Sequence, residues 1–213
     1  MKIIIHTCDR RLWYVCEFLV PALRAQGIEP EIHNDNEHRG NLWAYIDSFR
    51  SLSAGTQGTW HLEDDVFPCR DFARIAKLYD DGIVHGFFHR FGKEQFEPGW
   101  VPVEKAGYSF PCFRMPDRLA VEFAEWFVSD AQCREENRRW VVEGRHIDSF
   151  MLNFLRERHP GERVFNLKPS IVEHIDDLIG GSVINQNRGE KCRAEYFGDN
   201  ESIEELRVKL ASR

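Results

Sequence analysis

The densest chemistry in the chain is the run His61-Leu62-Glu63-Asp64-Asp65-Val66. Three consecutive carboxylates after an apolar stretch repel one another, and such a group persists best where a cation neutralises it. Hard divalent cations take oxygen ligands and often bridge one or two carboxylates to substrate phosphates. Such an ion would act as a Lewis acid toward a leaving diphosphate. A solvated acidic turn ahead of the next helix is the other reading of the same residues. Four more clusters carry groups able to act on a ligand: Thr7 to Arg11, Asn34 to Gly40, His146 to Ser149, and Pro169 to His174. Carboxylates accept hydrogen bonds from a base or a ribose, arginine meets phosphate, and imidazole ligates Mn²⁺-type ions. Asp148 stands at a helix start, where the dipole stabilises an acid and a carboxylate also serves as a cap.

The elements that must position these groups can be read from periodicity. Lys2 to Thr7 is a β-branched run, the mark of a strand buried on both faces. Apolar residues at helical spacing run from Arg11 to Gln26, closed by Gly27. A strand over Glu29 to Asn34, a helix over Asn41 to Leu52 and a strand over Thr59 to Leu62 follow. This β-α-β-α-β order predicts a single-domain α/β fold, a mostly parallel, Rossmann-like sheet flanked by helices. Ligands of such sheets bind beyond the carboxyl ends of the strands, where Thr7 to Arg11, Asn34 to Gly40 and Glu63 to Asp65 all fall. Further along, helices are expected over Asp71 to Asp80, Pro116 to Val128 and Arg145 to Arg158, with strands over Gly82 to Phe88 and Arg163 to Asn166. Phe91 to Val101 reads as a long functional loop, and Val103 to Phe113 as extended with Gly107 inside. The expected domain covers 1–188, followed by a charged tail, 189–213, with a short helix near Ile203 to Leu210.

A strand, then Leu62-Glu63-Asp64-Asp65-Val66, then Pro68 and a helix resembles the Asp-x-Asp region of nucleotide-sugar glycosyltransferases of the GT-A fold. The nearest look is to small bacterial and phage-type members and to lipopolysaccharide glycosyltransferases that write the motif with Glu first. The resemblance spans roughly residues 1 to 185 in short pieces. It implies Asp65 as ligand of Mn²⁺ or Mg²⁺, Glu63 as a donor contact, and Asp64 beside them. It implies that Thr7 and Arg11 hold the nucleotide, that Asp35 meets the nucleoside, and that Gly40 opens a small glycine loop near the donor. Asp35 as a turn residue and Arg11 as a solvated helix start are the plain alternatives. Gly107 falls where a small-residue segment abuts the sugar, or else marks a β-bulge. Asp148 falls where inverting members keep the general base, and His174 where a late histidine completes the metal or diphosphate site. The implied activity is metal-dependent transfer of a sugar from a nucleotide-sugar, UDP-sugar first, to an acceptor hydroxyl, with Phe96 and Trp100 stacking on the acceptor ring.

Composition narrows the partners. A net charge of −7 disfavours a strong polyanion binder, and the basic clusters Arg134 to Arg139 and Arg156 to Arg163 read as solvated helix faces. The 16 Phe and 6 Trp fill a core and leave rings for a pocket that takes a flat group or a sugar. Six scattered cysteines without a CxxC pair, no leader-like start and no run near the roughly 18 apolar residues of a membrane span lead to the expectation of a cytoplasmic protein without an integral membrane segment. The acceptor class stays open among glycan, protein, small molecule and modified DNA base. Nucleotidyl transfer is the competing chemistry, disfavoured by the glycine-free loop Cys8-Asp9-Arg10-Arg11. A non-catalytic nucleotide- or partner-binding domain of the same fold is the third reading.

Overall fold

The computed structural model describes residues 1–55, 57–87, 98–106, 111–143, 147–180 and 197–212. Strand β1 (Lys2–Thr7) leads into a helical stretch of three pieces, α1 (Leu12–Tyr14), a π-helical turn (Val15–Leu19) and α2 (Val20–Arg24). The ladder widens just before Pro21, which has no N–H to give the preceding turn. Then come β2 (Glu31–Asn34), α3 (Asn41–Arg50), β3 (Gly58–Glu63), β4 (Val66–Pro68) and α4 (Phe72–Ala76). The chain continues through β5 (Ile83–His85), β6 (Gly99–Pro102), β7 (Cys112–Pro116), α5 (Asp117–Ser129) and α6 (Arg138–Glu143). It ends with α7 (Ile147–Arg158), β8 (Arg163–Asn166), β9 (Val172–His174) and α8 (Asn200–Ala211).

The main sheet has seven strands in the order β2-β1-β3-β7-β5-β8-β6. β1 runs parallel to β2 and β3, and β5 parallel to β8. β7 lies antiparallel between β3 and β5, and β6 closes the far edge antiparallel to β8. The sheet is therefore mixed and mostly parallel, with only β7 and β6 running against the rest. Alternation along β1 feeds two cores. Ile4 joins Tyr45, Phe49, Phe113, Phe123 and Phe154 under α3, α5 and α7. Ile3 and Ile5 join Tyr14, Trp60, Leu62 and Phe72 under the other helices. Ile203 and Leu206 of α8 pack into that second core, and Asp199 caps α8 by accepting from Ser202 N at 3.2 Å.

Several local expectations are corrected. The helix expected over Asp71 to Asp80 is only α4. Val103 to Phe113 is not extended from its start: among its described residues a 3₁₀ turn, Val103–Lys105, comes first and β7 begins only at Cys112. Trp100 belongs to β6 and its ring lies over Gly82, at the amino end of β5. It therefore sits away from the carboxyl ends and offers no acceptor platform there. Phe96 and Gly107 lie outside the described residues. Among the described residues no helix is long and apolar enough to cross a membrane, and Cys8, Cys16, Cys69, Cys112 and Cys133 are free thiols.

Candidate active site

The small second sheet builds the centre of the site. β4 pairs antiparallel with β9, Val66 opposite His174, and Ile175 N donates to the Asp65 carbonyl at 2.7 Å. This pairing sets the His174 Nε2 against Asp65 Oδ2 at 3.3 Å, while His174 Nδ1 lies 3.4 Å from Asp176 Oδ1. At the end of β1, Thr7 Oγ1 donates to Asp64 Oδ2 at 3.0 Å and Cys8 N approaches the same oxygen at 3.3 Å. Glu63 ends β3 opposite His6 of β1, on the α3 face of the sheet.

These surroundings divide the three acids. Burial, then the Asp65 charge, pushes the Glu63 carboxyl up to about 8, with Asp64 and Asp148 adding and His174 opposing. Burial and Asp65 push Asp64 up to about 7 against Arg11, the Thr7 hydroxyl and the Cys8 N–H. Burial would raise Asp65 too, but the charge and hydrogen bond of His174, with Arg11, hold it below the usual carboxylate range. Burial would lower His174, and Asp65 and Asp176 outweigh it to lift His174 well above an ordinary imidazole. Near neutral pH Asp65 of the three is therefore ionised and paired with an imidazolium, Glu63 tends to keep its proton, and Asp64 is divided between its two forms.

A cavity of about 320 Å³ opens beside this cluster at the ends of β1 and β3. Thr7, Cys8 and Arg10 form one wall and Glu63, Asp64 and Asp65 another. The loop from β2 to α3 closes it with Asp35, His38 and Gly40, and His6, Asn41, Ala44 and Tyr45 complete the lining. The Asp35 carboxylate accepts from Gly40 N at 2.8 Å and Arg39 N at 3.1 Å. It thus ties down the loop that it lines the cavity with, and Gly40, at φ 93°, makes the turn into α3.

The expected site residues divide accordingly. Thr7, Asp35, Gly40, Glu63, Asp64 and Asp65 line one cavity, and His174 stands behind Asp65. Arg11 does not line it: the turn Arg11 N to Cys8 O, 2.8 Å, rotates Arg11 inward until it is 1% exposed. From there it acts on Asp64 and Asp65 as a buried counter-charge. Arg10, its neighbour in the Thr7 to Arg11 cluster and not itself singled out from the sequence, is the exposed arginine on the cavity wall. Asp148 lies in the first turn of α7, accepts from Ser149 N at 2.8 Å, and reaches Glu63 electrostatically rather than facing the cavity. His6, Tyr45 and Asp176 were not anticipated.

A divalent cation finds a partial fit. Among the described residues no three His, Cys, Asp or Glu form a ready ligand cluster. Asp65 Oδ1, however, is buried and has no hydrogen-bond partner among them. One open carboxylate oxygen beside two raised acids suits an ion that takes its remaining ligands from phosphate and water.

No family model and no curated protein matches the chain. Solved structures that the chain resembles include a glycosyltransferase involved in glycosylation of the major capsid of PBCV-1, at TM-score 0.46 and 9% identity over 79% of this chain and 82% of that one. The inositol-1-phosphate CTP transferase from T. maritima scores 0.46 at 11% identity, covering 99% of this chain and 77% of that one. A Drosophila galactosyltransferase in complex with manganese, UDP-Gal and xylobiose scores 0.43 at 14% identity, with 95% and 79% covered. At such identities and scores the likeness carries no chemistry over to this chain.

Proposed function

We propose that this protein is a glycosyltransferase that moves a sugar from a nucleotide-sugar, UDP-sugar first, to an acceptor hydroxyl. The observation that carries the reading is the cavity at the carboxyl ends of β1 and β3, walled on one side by Glu63, Asp64 and Asp65 and on another by Arg10. Its volume of about 320 Å³ suits a nucleoside. The diphosphate then lies across the acid cluster, where Arg10 meets it. A divalent cation, Mn²⁺ or Mg²⁺, held at Asp65 beside His174 would neutralise the diphosphate's charge. Arg11 keeps the ground beneath the acids from becoming uniformly negative. Asp148 is the proposed base: outside the nucleotide cavity and near Glu63, it takes the proton of an acceptor hydroxyl that approaches from the α7 side as that oxygen bonds to the anomeric carbon. The bond to the nucleoside diphosphate breaks on the opposite face, with inversion.

The test is isothermal titration of UDP into the purified protein with and without Mn²⁺, alongside Asp65→Asn. Micromolar binding that needs the ion and is lost in the variant is the expected result. Binding independent of the ion removes Asp65 from its role. Failure of UDP, GDP, CDP, ADP and dTDP alike overturns the reading. Turnover then separates the competing chemistry: sugar transfer releases a nucleoside diphosphate, nucleotidyl transfer releases pyrophosphate.

A further inference from the structure

The floor of the cavity holds polar groups for which the reading above has no use. His6 and Tyr45 line the cavity, are 5% and 0% exposed, and stack on each other with ring centroids 3.7 Å apart and planes at 24°. His6 Nδ1 and the Tyr45 hydroxyl are buried and have no hydrogen-bond partner among the described residues. Unsatisfied buried polar atoms are rare, and both of these belong to residues that line the cavity, where a ligand pressed against the stacked rings would complete them.

The protonation of His6 follows from its neighbour. His6 Nε2 lies 3.0 Å from His61 Nδ1, so one of the two carries the shared proton. Burial holds both rings well below the ordinary imidazole range, so each is neutral and has a single N–H. His61 is fully buried, stacked on Phe113 at 5.1 Å and edge-on to Phe49 at 4.9 Å, and its Nε2 meets no partner among the described residues. A bare acceptor is tolerated in such a dry cage better than an orphaned N–H, whereas an N–H on His6, which lines the cavity as His61 does not, has a ligand to complete it. His61 therefore keeps its proton on Nδ1 and donates to His6 Nε2, which leaves the His6 proton on Nδ1. The Tyr45 hydroxyl is held neutral by burial and by the nearby acids, and is a second donor. Asn41 Oδ1, also buried and without a partner among the described residues, adds an acceptor to the lining.

Resting on the nucleotide reading of this cavity, we propose that His6 and Tyr45 select a base with a carbonyl over one with an amino group, and that His61 is the positioning residue that fixes the His6 tautomer. Two donors on the floor complete a keto oxygen, and the Asn41 acceptor suits the imide N–H beside it. An exocyclic amino group would meet two donors and leave all three without an acceptor. Sites that hydrogen-bond a ligand group discriminate strongly against analogues that cannot answer it.

The test compares matched pairs, UDP with CDP and GDP with ADP, by titration calorimetry in the full chain. The keto member of each pair is expected to bind about tenfold tighter or better. Tyr45→Phe is expected to weaken the keto ligands about tenfold and to leave the amino ligands no weaker, since it removes a donor that opposes them. His61→Phe keeps the ring stack but frees the His6 tautomer, so the ratio within each pair should fall to within about threefold. Independently of any variant, long-range ¹H–¹⁵N spectra of the wild-type histidines should place the His6 proton on Nδ1. A proton on His6 Nε2, or equal binding within both pairs, overturns the proposal and leaves glycosyl transfer standing. Failure of every nucleotide to bind overturns both.

Discussion

The acid cluster should cost the metal-free protein stability, and Glu63→Gln measures how much. The Glu63 carboxyl titrates near 8 in the fold against an ordinary 4.5. A carboxylate raised in this way binds a proton in the folded state that the unfolded chain has released. Folding stability therefore falls as pH rises from about 4.5 to about 8, by up to 1.36 kcal/mol per pH unit, and levels off above that. Integrated, the penalty is about 1 kcal/mol at pH 5 and about 4 kcal/mol at pH 8, both upper limits because water entry and relaxation soften burial. Glutamine keeps the shape and has nothing to ionise, so the variant should gain about those amounts. The assay is urea unfolding in EDTA at several pH values from about 5 to 9, read as the variant-minus-wild-type difference. Taking the difference matters because His6, His61 and His85, all lowered by burial, are charged more readily when unfolded and weaken the fold as pH falls below about 6.5. A variant less stable than wild type at pH 8, or a difference flat across the range, would refute the reasoning. It would mean that Glu63 is already paired, and that no cation is needed beside it.

Two of the three further predictions separate roles that sequence proximity confuses. Arg10→Ala should weaken UDP binding about tenfold while shifting stability by no more than about 0.5 kcal/mol, because the side chain is exposed on the cavity wall. Arg11→Ala should instead cost about 3 kcal/mol in thermal unfolding, since it strips a buried counter-charge from beneath Asp64 and Asp65. Asp199→Ala should cost about 1 kcal/mol in urea unfolding, because its carboxylate caps α8 at Ser202 N and also accepts from Arg70 N at 2.8 Å.

Local pattern was enough for much of the framework. β1 and β8 have the bounds that the chain itself suggests, because a short β-branched or apolar run between turn residues has few other ways to bury itself. Three polar clusters at strand ends were likewise legible, and Thr7, Asp35 and Glu63 to Asp65 do converge on one cavity. Strand direction was not legible. Nothing in Cys112 to Pro116 says that this segment inserts antiparallel between β3 and β5, since that depends on which edges remain unpaired once the parallel strands have formed.

The site's decisive contacts are of the same non-local kind. His174 reaches Asp65 only because β9 pairs with β4, a register held by the core that buries Val66, Val172 and Ile175 together rather than by either segment alone. Helix phase sends Arg11 inward and Arg10 outward, a choice made by where α1 must bury Tyr14 and not by the arginines. The His6–His61 contact depends on the parallel register of β1 and β3, which puts both on the face covered by Tyr45 and Phe49. Residue types and their order fixed which chemistry was available. Tertiary pairing decided which groups share a solvent-poor space, and burial then set which of them hold charge.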